Sequence, residues 1–463
     1  MLELRRRVGR GAIGLVAFIV TGCSAGLGSS APPSTRSPAA PPAVPTAVPS
    51  TVPPASVPPT SVITVEPSDG DPSTPADVSD ALAGMTVEDK VGQLFMTVVY
   101  GSHAGSSSKE NQARYGVATP AEVVAKYRPG GVILFPWAGN VSSATQVAAL
   151  TTGLRKASSK TPLLIGVDQE NGLVSRLRPL VTELPGSMAI GSTGDPGNAR
   201  DAARVTGEEL RDLGVSLDYA PVADVNINPR NPVIGPRAYG SDPREVAAMV
   251  GAAVDGFHAA GVASVAKHFP GHGDTSVDSH TGLPVIRHSM AQWEKLDAPP
   301  FRAAIAQGVD AIMSAHVVMP KLDPSGDPST LSRKILTGLL REKLGFDGVI
   351  TTDALDMAGV RKKYGDAEVA VRAILAGADM LLMPPDFRTA YGAVLKAVQT
   401  GRISEERLNE SVTRILHLKE SRGVFEATHT DPGALKSSEH LKVARRIRAA
   451  AAARAQSLPM RAL

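Results

Sequence analysis

The stretch Leu163-Leu164-Ile165-Gly166-Val167-Asp168-Gln169-Glu170 decides the fold prediction, because an apolar run of strand length ends directly in polar and acidic side chains. Seven further apolar runs of four to eight residues lie along the chain. Together the eight runs cover residues 92–99, 131–135, 163–167, 216–222, 263–267, 311–316, 349–352 and 380–383. Ala-rich segments of helical period, such as 243–260 and 367–376, separate most of them.

Eight strand-like runs alternating with helical segments, within about 350 residues, predict an α/β fold with a single (β/α)8 TIM barrel rather than an open sheet. In such barrels the chemistry lies at the carboxyl ends of the strands. Polar groups also end or directly follow the fifth, sixth and seventh runs, where they include Lys267, His268, His316 and Asp353. Four such endings at equivalent places predict one common pocket.

The segment after the fifth run resembles the signature of the β-N-acetylglucosaminidases of glycoside hydrolase family 3. It reads Lys267-His268-Phe269-Pro270-Gly271-His272-Gly273-Asp274-Thr275-Ser276-Val277-Asp278-Ser279-His280. The family's other blocks match in order at residues 168–172, 234–240 and 352–357, and the resemblance covers residues 82–424. It implies a retaining, two-step hydrolysis of terminal β-linked N-acetylglucosamine, with no cofactor and no metal.

By this resemblance, Asp353 is the nucleophile that forms a covalent glycosyl-enzyme, and His280 is the acid/base, hydrogen-bonded to Asp278. These residue types suit their tasks, because an imidazole titrates near neutral pH and a nearby carboxylate can fix its tautomer. Gly271, Gly273 and Ser279 around His280 suit a mobile loop that closes over the substrate.

The resemblance also carries over a set of substrate-binding positions. They are Asp168, Arg176, Arg237, Lys267, His268 and His316. The sequence departs from the family at Asn171 and Leu173, where relatives commonly carry Gly and Arg, which leaves the contacts near Asp168 open. Structural rather than catalytic roles are expected for Glu170, His272, Asp274, Trp293 and Asp356.

The beginning of the chain combines basic residues, a short apolar run over 11–20 and small residues before Cys23. This order predicts a secretory signal, since a bilayer-spanning helix needs roughly 20 apolar residues. The small residues before Cys23 resemble a bacterial lipoprotein processing site, which implies cleavage there and acylation of the cysteine. The composition of the following residues, rich in Pro, Ser and Thr, predicts a disordered spacer.

The expected domains are a lipoprotein signal peptide (1–22), a Pro/Ser/Thr-rich linker (23–76), the catalytic barrel (77–425) and a C-terminal tail (426–463). The tail after His440, rich in Ala and Arg, is expected to be an amphipathic helix or disordered. Because few residues follow Ser421, we expect no second α/β domain of the kind that some relatives carry, and we expect a monomer.

The composition excludes several classes of protein. Hydrophobic residues make up 43% and charged residues 20% of the chain, which is typical of a globular protein. With 48 basic and 45 acidic residues the net charge is only +3, so no nucleic-acid partner is indicated.

A lipoprotein on the outer face of a membrane would instead meet peptidoglycan fragments. The expected partners are therefore the membrane, through the lipid anchor, and amino sugars such as N-acetylglucosaminyl–N-acetylmuramic acid and muropeptides.

Three alternatives stay open at this point. A metal-dependent hydrolase could draw ligands from residues 268–280, although their spacing matches no helical H-E-x-x-H pair. A phosphorylase could use the same double displacement, because a neutral histidine does not repel phosphate. A non-catalytic, wall-binding lipoprotein would not need Asp353, Asp278 and His280 together.

Overall fold

The computed structural model describes residues 78–158, 161–279, 282–361, 363–426 and 429–457. The predicted signal peptide, Cys23 and the Pro-rich linker lie outside the described residues, and so does His280. The expectations attached to them therefore remain predictions.

Eight parallel strands form the centre of the structure. They are β1 (Phe95–Thr97), β2 (Gly131–Ile133), β3 (Leu164–Val167), β4 (Leu217–Asp218), β5 (Ala263–Phe269), β6 (Ala311–Ser314), β7 (Val349–Thr352) and β8 (Leu381–Leu382). Each falls on one of the eight predicted runs, and β5 extends two residues beyond its run. Such runs are recognisable because the strands of a parallel sheet are buried on both faces and so read as nearly continuous apolar sequence.

The strands follow the order β8-β1-β2-β3-β4-β5-β6-β7, with parallel pairing throughout. A parallel bridge between Thr351 and Met380 joins the two ends of the sheet, so the barrel is nearly closed. At Gly131, which pairs with Met96 and Leu164, a Cβ atom would lie 2.4 Å from the Met96 methyl group. The predicted barrel is thus confirmed as a nearly closed, eight-stranded parallel barrel, consistent with a TIM barrel.

Helices cover the outside of the barrel. They are Val78–Ala83 and Val87–Gln93 before β1, Lys109–Tyr115 and Pro120–Tyr127 after β1, Ala144–Ala157 after β2, Ser187–Gly191 and Pro196–Asp212 after β3, Pro243–Ala259 after β4, Met290–Leu296 and Ala298–Ala306 after β5, a π-helical Lys334–Lys343 after β6, Ala358–Arg361 and Asp366–Ala376 after β7, and Phe387–Gln399 and Glu405–Ser421 after β8. No helix in this described part of the chain is both long and apolar enough to cross a membrane.

The helix Pro243–Ala259 illustrates how local sequence sets these elements. Asp242 caps its first turn by accepting hydrogen bonds from the N–H groups of Arg244 and Glu245. Pro243 suits the first helical position, because its missing N–H would have no partner there in any case. The helix therefore begins where the sequence predicted, and it ends one residue earlier than the predicted 243–260.

The C-terminal tail forms the helix Ser438–Ser457. Near its start, the ring nitrogens of His440 lie 2.9 Å from carboxylate oxygens of both Glu208 and Glu209 on the barrel helix Pro196–Asp212. Ile447, farther along this helix, is also buried. The tail was expected to be either an amphipathic helix or disordered, and in the structure it is a helix.

Candidate active site

A cavity of about 430 Å³ lies at the carboxyl ends of β2 to β8, among residues at the ends of these strands and in the segments that follow them. Six of the predicted site residues line this cavity, namely Asp168, Arg176, Arg237, Lys267, His268 and Asp353. They come from sequence positions almost 190 residues apart. Only the closure of the barrel brings them together, as the strand-end pattern predicted.

Asp353 directly follows β7 and is half-buried. Its N–H donates to the carbonyl oxygen of Ser314 at 3.1 Å, and its Oδ1 accepts from the N–H of Ala354 at 2.8 Å. Burial opposes ionisation of this carboxyl, but the rings of His316 and His268 and the Ala354 N–H together hold its pKa below the usual value. Asp353 is therefore an ionised carboxylate with one oxygen fixed by the backbone.

A buried network of charges forms one wall of the cavity. Lys267 Nζ lies 2.8 Å from Asp168 Oδ1 and 2.7 Å from Glu170 Oε1. Arg237 binds the same Glu170 with two parallel hydrogen bonds of 2.7 and 2.8 Å. Such charge-assisted, bidentate contacts fix the positions of side chains as well as their charges.

The charge states of this network follow from its contacts. Burial opposes the charge of Glu170, but Lys267 and Arg237 outweigh it and lower the pKa of that carboxyl. Burial likewise opposes the charge of Lys267, while Asp168 and Glu170 raise the pKa of the ammonium above its usual value. The wall thus presents paired, charged donors and acceptors, which suits recognition of sugar hydroxyl groups.

Asp224 is a site residue that the sequence analysis missed. Its Oδ2 lies 2.7 Å from Nδ1 of His268, and its Oδ1 accepts from the N–H of His272 at 2.7 Å. Burial raises the pKa of this carboxyl, but the His268 ring outweighs burial and lowers it. Because the ionised carboxylate accepts from Nδ1, the Nε2 of His268 is the ring nitrogen left for the cavity, and it lies 3.5 Å from Nη2 of Arg237.

The first part of the loop after β5 is held by several contacts. Nδ2 of Asn231 donates to the carbonyl oxygens of His272 and Gly273 at 2.8 and 3.0 Å. Farther along, Asp274 Oδ2 lies 3.0 Å from Nε2 of His288, whose Nδ1 lies 2.6 Å from the buried Asp297. The loop is therefore fastened to its surroundings up to Asp274.

Two glycines of this loop are needed for close packing. A Cβ atom on Gly273 would lie 1.6 Å from the carbonyl oxygen of Val225. Gly271 has φ +129°, and a Cβ there would lie 2.6 Å from Oδ1 of Asp297. Both positions thus require glycine for close packing, so their presence is not evidence for a mobile loop.

The expected acid/base, His280, and its expected partner, Asp278, come later in the same stretch of sequence. Asp278 and Ser279 belong to the described residues, and Ser279 lines the cavity while its Oγ lies 3.1 Å from Nε2 of His272. His280 lies outside the described residues, so its hydrogen bond to Asp278 and its position relative to Asp353 stay predictions.

His316 lies behind the cavity wall rather than in it. Its ring is fully buried, its Nε2 donates to the carbonyl oxygen of Ala354 at 3.0 Å, and its Nδ1 lies 2.9 Å from Oγ1 of Thr330. The physical reason is that β6 ends at Ser314, so that His316 already belongs to the connection beneath Asp353. The His316 ring acts on the electrostatics of Asp353, while the expected direct contact of His316 with substrate stays a prediction.

Aromatic side chains after β2 form another part of the wall. Phe135 and Trp137 both line the cavity, and their rings stack with centroids 4.9 Å apart. The guanidinium of Arg176 lies 5.5 Å from the centroid of Phe135. Arg176 also lines the cavity, and its Nε is buried without a hydrogen-bond partner among the described residues. By contrast, Trp293 is fully buried and donates to the carbonyl oxygen of Pro270, as a packing residue would.

In the described part of the chain, no three His, Cys, Asp or Glu side chains are grouped so that they could hold a metal ion. The rings of His268 and His272, which both line the cavity, are engaged with Asp224 and Ser279.

Comparisons with known proteins fit this geometry. Residues 86–418 match the glycosyl hydrolase family 3 N terminal domain. The chain is 38% identical over 380 residues to β-hexosaminidase A of Pseudoalteromonas piscicida, with 75% of this chain and 63% of that relative covered. It is 34% identical over 385 residues to a β-N-acetylglucosaminidase/β-glucosidase of Cellulomonas fimi, with 80% and 65% covered. The chain thus spans slightly less than two thirds of the length of these two relatives.

A solved structure, that of a glycoside hydrolase family 3 β-N-acetylglucosaminidase from Paenibacillus sp. strain FPU-7, is also similar. Its TM-score is 0.73 at 43% sequence identity, with 79% of this chain and 68% of that chain covered.

Proposed function

Because this chain belongs to glycosyl hydrolase family 3, we propose that it is a retaining β-N-acetylglucosaminidase that removes terminal β-linked N-acetylglucosamine from the non-reducing end. One observation carries the proposal. The ionised carboxylate of Asp353 shares a single cavity with a wall of charged groups suited to sugar hydroxyls, formed by Asp168, Lys267 and Arg237.

The proposed reaction has two steps. First, an oxygen of Asp353 attacks the anomeric carbon, the glycosidic bond breaks, and the leaving oxygen takes a proton from His280. A covalent glycosyl-aspartate ester results. In the second step His280 removes a proton from water, the water oxygen attacks the same carbon, and the ester breaks to release the sugar and the carboxylate of Asp353.

The contacts around Asp353 support its role in both steps. An ionised nucleophile is needed before attack, and the lowered pKa of Asp353 supplies it. One oxygen is held by the Ala354 N–H, which fixes the orientation of the carboxylate. Because the site is largely enclosed by protein, interactions of this kind are stronger than they would be in water.

The polar wall supports recognition of a sugar rather than of an apolar ligand. Lys267, Asp168 and Arg237 are locked by ion pairs, so little ordering is required when a hydroxyl group binds. Arg176 adds a buried donor without a protein partner among the described residues. The pocket thus combines fixed polar groups with the aromatic wall, which is the composition expected of a carbohydrate site.

We further propose that the enzyme acts on peptidoglycan fragments at the outer face of a membrane, as a monomer anchored through lipid on Cys23. The basic and apolar beginning of the chain and the small residues before Cys23 support this location. Replacement of Cys23 by Ser should move the protein from the membrane fraction to the soluble fraction. An unchanged distribution would contradict the anchor and leave the proposed chemistry intact.

The activity is tested by comparing 4-nitrophenyl β-N-acetylglucosaminide with the matching β-glucoside. The wild type should strongly prefer the N-acetyl substrate, and Asp353→Ala should be nearly inactive. His280→Ala should retain more activity on the activated aryl substrate than on a natural disaccharide, because an activated leaving group needs less protonation. Asp255→Asn, on the outside of the barrel, is the matched control. Equal turnover of the two sugars would contradict the specificity.

The same assay separates hydrolysis from phosphorolysis. A hydrolase releases free N-acetylglucosamine at a rate independent of phosphate, whereas a phosphorylase forms the sugar 1-phosphate. Formation of the sugar phosphate as the main product would replace the proposed hydrolysis by the alternative.

A further inference from the structure

Trp137 is unusually exposed for an indole side chain. Its exposed fraction is 58%, whereas the chain's other tryptophan, Trp293, is fully buried. Exposure of so large an apolar surface is unfavourable in water, and where it borders a cavity it commonly marks a binding surface. Trp137 does border the cavity that holds Asp353.

The contacts of Trp137 leave one face of the indole open. Phe135 stacks against it at 4.9 Å with an interplanar angle of 24°, and Phe135 itself is only 5% exposed. The ring of Tyr100 lies at 5.9 Å with an angle of 56° and so does not cover the second face in parallel. Because one face is covered by Phe135, the exposed area belongs mainly to the opposite face and the edge.

The stack also fixes the plane of the indole. Phe135 is held from a further side by the Arg176 guanidinium, 5.5 Å from its centroid. Tyr100 is in turn held by the guanidinium of Arg114, at 5.5 Å from its ring. A platform supported in this way loses little side-chain freedom when a ligand stacks on it.

The position of Trp137 indicates which part of a substrate it would meet. The groups suited to the hydroxyls of the terminal sugar, Lys267 and Glu170 among them, are almost completely buried and therefore lie at the closed end of the pocket. Trp137, being exposed, lies at the mouth. In an enzyme that removes one sugar from a chain end, the leaving group must extend toward the mouth, because the rest of the chain lies outside.

We propose that Trp137 is the platform for the leaving-group side of the substrate and stacks against the apolar C–H face of a second pyranose ring. This inference rests on the proposed glycosidase function and adds a preference for substrates whose leaving group is itself a sugar. Aromatic side chains suit this task, since their faces pack on C–H groups while their edges remain solvated.

The test compares substrates that differ only on the leaving-group side. For Trp137→Ala, kcat/KM on a β-1,4-linked N-acetylglucosaminyl disaccharide should fall about tenfold. On N-acetylglucosaminyl fluoride, whose leaving group carries no ring, kcat/KM should stay within about twofold of the wild type. Trp137→Phe should recover part of the loss. An equal loss on both substrates would show a merely structural role, and an unchanged disaccharide rate would also overturn the proposal.

Fluorescence gives a second measurement that does not depend on turnover. In an Asp353→Ala background the disaccharide should shield Trp137 from a soluble quencher, whereas free N-acetylglucosamine should not. The buried Trp293 is a silent internal reference, and the signal should vanish in Trp137→Phe. Shielding by both ligands alike would contradict the assignment to the leaving-group side. If the wild type cleaved neither the disaccharide nor the fluoride, the proposed function itself would fail. The quenching measurement alone would then decide whether Trp137 is a platform for a second sugar.

Discussion

The imidazole of His268 and the carboxylate of Asp224 form a buried pair, with Nδ1 and Oδ2 2.7 Å apart. The carboxylate also accepts from the backbone N–H of His272, at 2.7 Å, and so fixes a cavity-lining ring and the start of the loop after β5 at once. A side chain that touches no substrate thereby positions two elements that border the site.

Replacement of Asp224 by Asn should lower both activity and stability. Asparagine has one acceptor oxygen in place of two, so at least one buried donor loses its partner, at a cost of about 1–3 kcal/mol. We expect kcat/KM to fall about tenfold or more, with a shift in the pH profile, because the tautomer of His268 is no longer fixed. Urea unfolding and pH-dependent kinetics measure the two effects. Wild-type kinetics in this variant would show that Asp224 does not position His268.

The fold and much of the site could be predicted from sequence for one physical reason. Parallel strands buried on both faces read as apolar runs, and residues that directly follow them, such as Asp168 and Asp353, converge when the barrel closes. Asp224 and Trp137 were not predicted as site residues, because each lies two residues beyond the end of a predicted run rather than next to it. A search that included the first two residues after each run would have found both.

Other features depended on tertiary contacts that the sequence does not encode locally. The ring of His316 is held by Thr330, from the connection after β6, so a residue at the end of an apolar run lies behind the wall. The need for glycine at Gly273 comes from Val225, which lies 48 positions earlier in the chain. A glycine that serves close packing and one that serves loop motion look alike in a single sequence.

Replacement of Glu170 by Gln should destabilise the protein strongly. The change removes the carboxylate that pairs with the buried Arg237 and one of the two carboxylates that pair with the buried Lys267, which keeps Asp168. Breaking a buried ion pair in this way costs about 3–5 kcal/mol. Urea unfolding measures the loss, and KM should rise as the wall loses its fixed geometry. Asp255→Asn, which alters a half-exposed ion pair with Arg200, is the control and should change stability by less than about 1 kcal/mol. A loss in Glu170→Gln no larger than in this control would contradict the network.

Asp218, at the end of β4, should make stability depend on pH. Burial raises the pKa of this carboxyl to about 8, and its Oδ2 has no hydrogen-bond partner among the described residues. Because the folded pKa lies above the unfolded one, about 3.9, Asp218 remains protonated in the folded state while the unfolded state ionises. The contribution of Asp218 to stability is therefore fully present below about pH 4 and is lost as the pH rises to 8.

The isosteric variant Asp218→Asn removes this dependence. Its stability relative to the wild type should rise by about 1–4 kcal/mol between pH 5 and pH 8, as measured by urea unfolding at both values. Asp255→Asn should show no comparable change. A constant difference between Asp218→Asn and the wild type across this range would show that Asp218 ionises normally in the folded protein.

The central claim, that Asp353 forms a covalent ester with the sugar, is tested most directly by trapping. A fluorinated N-acetylglucosaminyl fluoride that forms the ester faster than it is hydrolysed should inactivate the wild type, with one added sugar on the peptide that contains Asp353, seen by mass spectrometry after digestion. Asp353→Asn should remain unlabelled. A label on another side chain, or an active wild type that turns the reagent over without any labelled peptide, would contradict the account.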